Sequence, residues 1–319
     1  MTTRGRLLEW PLLLGILGVL LLLFLSLLVG AYDIFGGENG GEIFAITRIP
    51  RTLALILAGA AMAMSGLVMQ LLTQNRFVEP TTTGTTEWAG LGLVFSMVFL
   101  PESSLLGRMT CAIVFAFVGT MVFFAFLRRV TLRSSLIVPI VGIMLGAVVS
   151  SVSTFIALEL DLLQSLGTWF AGSFTAVLRG QYEVLWIVAV VVALVFYFAD
   201  RLTVAGLGED IAKNVGLDYD RMILIGTALV SVATGVVTVV VGNLPFVGLI
   251  VPNVVSMFRG DDLRSNLPWV CVLGIGIVTV CDLVGRTVIA PFEVPVSLVL
   301  GVLGAVVFIT LIIRQQRHG

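Results

Sequence analysis

The chain has 319 residues, of which 58% are hydrophobic and 12% charged, and its net charge is −1. A soluble domain carries about 25% charged residues, so this composition, with a mean hydropathy of +1.11, excludes a fully water-facing surface. The balanced charge excludes the broad basic field that nucleic-acid binding needs. Cys111, Cys271 and Cys281 lie inside apolar runs with no CxxC pair, which supports neither a zinc site nor a disulfide framework. The sole histidine, His318, is next to last and reads as part of a solvated tail.

Crossing a hydrocarbon core of about 30 Å takes about 20 apolar helical residues. Apolar runs occur near 11–31, 49–72, 83–100, 109–127, 135–157, 183–199, 222–242, 246–258, 268–289 and 295–313. The first follows Arg4 and Arg6 like a signal peptide, but its apolar stretch exceeds the usual 7–15 residues and predicts a retained span. The eighth is short and reads either as a crossing or as a re-entrant piece. The positive-inside bias separates these two. With ten spans and an inner N-terminus, 13 of the 18 basic residues fall inside, leaving Arg48, Arg51, Arg108, Arg179 and Arg286 outside. The prediction is an all-α, polytopic membrane protein of about ten transmembrane helices, a single domain over residues 1–319, with both termini cytoplasmic. Spans two to five and seven to ten are offset by five crossings, so their topologies would be inverted, as in transporters built from inverted repeats. Gly142 and Gly146 form a GxxxG pair, and Gly301 lies close to Gly304. Such small residues serve either close helix packing or a pathway wall.

No Walker A sequence is present. That motif places a lysine after a Gly-rich loop so that phosphates are cradled and neutralised, and the one lysine, Lys213, follows Ala212. Asp282 lies deep in the ninth span, four residues before Arg286, so the two share a helix face. They read either as a structural ion pair or as a functional intramembrane ion. Glu87, near the start of the third span, is expected to face the protein interior or inner water. Between the sixth and seventh spans, residues 206–221 form a cytoplasmic segment. Glu209 and Asp210 suit the first turn of a short helix, Lys213 its far end, and Gly216 a left-handed stop. Ile211 and Val215, four apart, give that helix an apolar stripe.

Three stretches carry more than composition. They are RIPRTLALILAGAAMAMSGLVMQLLTQNRFVEPTTTGTTEWAGLG (48–92), LGEDIAKNVGLDYDR (207–221), and LPFVGLIVPNVVSMFRGDDLRSNLPW (244–269) followed by CDLVGRTVIAPFEVPVSLVLGVLGAVVF (281–308). Together they resemble the iron–siderophore and cobalamin permease family of type II ABC importers. The resemblance implies a permease subunit in the bacterial cytoplasmic membrane that moves a ferric siderophore delivered by an extracytoplasmic binding protein. It implies a second permease, identical or paralogous with a paralogue favoured, and two cytoplasmic ATPase subunits that hold ATP and Mg. This chain itself would bind no cofactor, hold no metal and catalyse nothing. Glu209, Asp210, Ile211, Ala212, Val215 and Gly216 match the segment that docks into the ATPase. Arg48, Arg51 and Arg286 match arginines that receive glutamates of the binding protein, the alternative being that they anchor helix ends. The fifth and tenth helices line the family's pathway, which here offers Ser150, Ser151, Ser153, Thr154, Ser297 and Gly301. Two departures from the family pattern are NRFVEPTTTG (75–84), where many members have an NPLADPGLLG-like turn, and VPN (251–253), where many have VPH. These match the petrobactin- and anguibactin-type subset, for catecholate or mixed siderophores, and make haem and cobalamin less suitable cargoes.

Two rival classes remain to be weighed. An ion-coupled secondary transporter needs intramembrane carboxylates or broken helices at mid-depth, and Asp282 is its strongest candidate. A membrane-embedded enzyme needs clustered His, Asp or Glu near the interface, and the sequence has no such cluster.

Overall fold

The computed structural model describes residues 10–30, 40–129, 136–260 and 262–318. Arg4, Arg6 and Arg133, counted above among the inner basic residues, lie outside the described residues, as do the side chains of Arg314, Arg317 and His318. All regular structure among the described residues is helical. In chain order the helices are α1 (Trp10–Leu28), α2 (Gly40–Leu72), α3 (Thr85–Phe99), α4 (Leu105–Leu127), α5 (Ile137–Glu159), α6 (Leu163–Phe170), α7 (Trp186–Gly206), α8 (Glu209–Asn214), α9 (Tyr219–Val240), α10 (Val247–Arg259), α11 (Leu263–Thr287) and α12 (Val296–His318). Each of the ten predicted apolar runs coincides with one of them. Seven are long and apolar enough to cross a membrane; α10 and the Val296–Thr310 part of α12 are shorter apolar helices, and α3 has 15 residues.

The core is organised around α2. The share of its apolar window buried inside the protein is 78%, the highest of the seven, and it packs against α7, α9, α10 and α11. Its residues explain the centrality. The run LALILAGAAMAMSG is small on several faces, so neighbouring backbones approach closely where lipid supplies no hydrophobic drive for helix association. A Cβ on Gly66 would lie 2.0 Å from the Gly248 carbonyl oxygen of α10, and one on Gly59 would lie 2.9 Å from the Gly274 carbonyl oxygen of α11. The helix begins earlier than predicted, at Gly40 rather than near 49, because a π turn over Phe44–Arg48 joins its two parts. By contrast α1 packs chiefly along α11 and barely touches α2. Only 17% of its apolar window is buried inside the protein, so it lies at the edge of the bundle.

Two short helices interrupt this regular bundle. α3 starts from Gly84 (φ 79°) and α10 from Phe246 (φ 65°), both left-handed residues. Each follows a long buried helix, α2 and α9 respectively. The C-terminal end of α2 (Leu72, Thr73) lines the same small cavity as Tyr219 at the N-terminal end of α9, so the two run in opposite directions. The loops after them therefore enter the bundle from opposite ends. The Gly142–Gly146 pair resolves as packing: a Cβ on Gly142 would lie 2.1 Å from the Thr82 carbonyl oxygen, and Gly146 lies against Gly84.

Candidate functional site

At one end of the bundle, charges from distant parts of the chain converge on Asp282. Its carboxylate is fully buried and accepts from Arg286 Nη2 at 2.5 Å, one turn on in α11, and from Arg51 Nη2 of α2 at 2.7 Å. Arg51 Nη1 in turn reaches Glu293 at 2.9 Å, in the loop before α12, and Glu293 also accepts from the Thr175 hydroxyl. Arg286 donates further to the Ser26 hydroxyl and to the carbonyls of Ser26 and Val29. A helix leaves its last carbonyls without partners, so Arg286 caps α1 while neutralising Asp282. One network thus fastens α1, α2, α11 and the loop before α12. For Glu293, burial raises the carboxyl pKa, but the Thr175 hydroxyl and the Arg51 charge outweigh it and hold the group below its ordinary value.

This geometry decides between the two sequence readings of Asp282 and Arg286 in favour of the structural pair. The Arg286 side chain is 1% exposed, so a partner's carboxylate reaches it only if the pair opens. Arg51 is 12% exposed and engaged with both acids. Arg48 is buried, with its guanidinium against Gly30. Together with Thr47, Phe174, Thr175 and Glu293, the two arginines of α2 line a cleft of about 180 Å³.

The opposite end presents the reverse chemistry. α8 is stopped as its sequence predicts. Gly216 adopts φ 81°, its N–H donates to the Lys213 carbonyl, and the Leu217 N–H donates to that of Ala212, the paired bonds of a Schellman stop. Ala212 is buried against the protein, whereas Ile211 is 47% and Val215 65% exposed. Glu209 and Lys213 pair across one turn on the water side. Leu207, just before the helix, is exposed as well.

Of the residues named for the pathway, Ser150, Ser151 and Thr154 lie exposed on α5, and Gly301 on α12 has open space beside it. Ser153 points inward and donates to the Val149 carbonyl, and Ser297 donates to the carbonyl of Ala171. Both hydroxyls are thus bonded within the chain.

Sequence reasoning passed over Glu79 and Glu293. Glu79 is fully buried and accepts the N–H of Phe246, the first residue of the α10 turn, at 2.8 Å, and also bonds the Thr81 hydroxyl. The α2–α3 loop thereby caps the start of α10. The two departures from the family pattern meet at this same junction, where Asn253 Nδ2 donates to the Arg76 carbonyl at 2.8 Å. Pro252 has no N–H for the Gly248 carbonyl four residues earlier, and the Gln70 amide of α2 donates there instead. The signal for this contact was the pair of unusual motifs themselves. Glu87, as expected, turns inward beside Gly146.

The FecCD transport family matches residues 13–314. The chain belongs to that family. It is 62% identical over 307 residues to the petrobactin import system permease protein FatD of Bacillus anthracis, covering 96% of this chain and 92% of the relative. It is 40% identical to the ferric-anguibactin transport system permease protein FatD of Vibrio anguillarum (85% and 86%), and 32% identical to the vitamin B12 import system permease protein BtuC of Salmonella paratyphi A (98% and 98%). Its fold matches a metal-chelate type ABC transporter solved in an inward-facing conformation, with a TM-score of 0.81, 24% identity, and coverage of 95% of this chain and 99% of that one. Family and helices together make this a multi-pass membrane protein of a transport family.

Proposed function

We propose that the chain is the permease subunit of an ATP-driven importer that moves a ferric siderophore of catecholate or mixed type across the bacterial cytoplasmic membrane. The observation that carries this reading is the 62% identity to a petrobactin permease along nearly the whole of both chains, well above the 32% shared with a vitamin B12 permease. The network around Asp282 argues against the ion-coupled rival, because the carboxylate that was its strongest sequence candidate is occupied by two arginines.

In this reading the ten apolar helices all cross the membrane, both termini lie in the cytoplasm, and residues 1–319 form one permease domain. The segment 206–221 couples it to two separate ATPase subunits, which hold ATP and Mg, while this chain binds no cofactor. Exposed Ile211 and Val215, flanked by Glu209, Asp210, buried Ala212 and the Gly216 stop, supply an apolar docking stripe on the water side. The outer cleft of Arg48 and Arg51 receives acidic residues of a binding protein, with Arg286 behind it holding the cleft in shape. The open faces of α5 and α12, with Ser150, Ser151, Thr154 and Gly301, meet a second permease, by preference a paralogue, across the pathway. Reconstitution in proteoliposomes tests the whole: uptake of a ferric catecholate requires the binding protein, the ATPase and ATP. Robust uptake by this chain alone, driven by an ion gradient, overturns it.

A further inference from the structure

A crevice of about 890 Å³ runs along the flank of α1, between that helix, α10, α11 and the edge of α12. Its wall is apolar except for Arg259. On α1 it extends from Pro11 to Leu22, about 16 Å of helix, and on α11 from Trp269 to Cys281, about 18 Å. Half of a hydrocarbon core of about 30 Å is about 15 Å, so the crevice is one leaflet deep. Its ends differ. At one, the Arg259 guanidinium stacks over the Trp269 ring at 5.0 Å, with exposed Trp10 at the neighbouring end of α1. Tryptophan and a snorkelling arginine are side chains that settle at the headgroup level. The far end is wholly apolar. Midway, Gly18 has no atom within 4 Å of where its Cβ would stand.

We propose that this crevice is a phospholipid site. One acyl chain of a lipid from the leaflet at the Arg259 end lies along α1, and the phosphodiester is held by Arg259. Charge and length together select the occupant. A planar guanidinium suits a phosphate, and a phospholipid carries its anion at the mouth and its chain at the depth that the crevice offers. A partner helix would match only the apolar wall. The lipid would lie along this flank beside the direct packing of α1 on α11, and so help to hold the first helix in place. The inference rests on the membrane reading of the chain but not on its cargo.

Native mass spectrometry of the full chain, purified in detergent with its co-purifying subunits, tests this. After delipidation and titration with dioleoyl phosphatidylglycerol, the wild type should retain one lipid. Arg259→Gln should weaken retention about tenfold, the scale of one charge-assisted contact. Gly18→Leu, which fills the crevice, should abolish it, while Arg264→Gln, on an exposed pair with Asp200, should leave it unchanged. Inorganic phosphate should not compete. Undiminished retention in both crevice variants, with normal melting, overturns the proposal, as does competition by inorganic phosphate. Capture of a second protein chain rather than lipid by a photo-crosslinker at position 18 overturns it as well. ATP-driven uptake is read separately, so failure of the transport reading leaves these outcomes interpretable.

Discussion

The two ends of this bundle handle exposure in opposite ways. At the Asp282 end, charged groups that would be easy to leave in water are drawn inside and neutralised by one another. At the α8 end, apolar groups that could be buried are left in the open on and beside a six-residue helix. A buried, mutually satisfied charge network holds helices together, and breaking one partner is strongly destabilising. Exposed apolar residues on a properly stopped helix bury little area within the fold that displays them, and the proposed function gives them to a partner. The contrast is between charges held inside the fold and apolar side chains left outside it, and it runs against expectation, since Arg51 and Arg286, expected to reach outward, are tied to Asp282.

Removing the hub should break the comparison hardest. Asp282→Ala leaves Arg51 and Arg286 facing each other in a buried site and should destabilise the chain by about 3–5 kcal/mol. Thermal unfolding in detergent reads this, and a change below about 1 kcal/mol would mean that the network is not structural. Glu293 sharpens the same end. Its carboxyl pKa is held down in the folded state, so its contribution is present above the unfolded value of about 4.3 and is lost as pH falls through the folded value. Glu293→Gln should cost roughly 1 kcal/mol at pH 7, because the group is partly exposed, and should flatten the acid side of the stability–pH curve. An unchanged acid limb in the variant would remove Glu293 from the network. At the other end, Gly216→Ala forces a Cβ into a left-handed stop and should destabilise by about 1 kcal/mol, seen as faster hydrogen exchange confined to the segment 206–217.

Much of this was legible in the residues. Helical apolar runs are long and continuous, so the ten apolar helices among the twelve described could be placed, and the α8 stop followed from Gly216. The Asp282–Arg286 pair was visible because i,i+4 spacing is local. What escaped was non-local or short. Arg51 meets Glu293 across 242 positions and Glu79 meets Phe246 across 167, and no periodicity encodes such a meeting. The extension of α2 to Gly40 depends on a π turn, which shifts the register that periodicity reads. α6, with eight residues and little more than two turns, lacks a run long enough to announce itself. The cap of Glu79 on α10 could be suspected only from the two unusual motifs, and nothing in either shows that they touch.

The central claim is that α8 is an interface whose apolar residues serve a partner rather than the fold. Its most direct test is the double variant Ile211→Asp with Val215→Asp, co-expressed with the ATPase subunits and purified by a tag on this chain. Both side chains are exposed, so stability should change by no more than about 0.5 kcal/mol, while the ATPase should be lost from the purified complex and ATP-driven uptake with it. A variant that melts normally, still carries its ATPase and still imports would contradict the assignment.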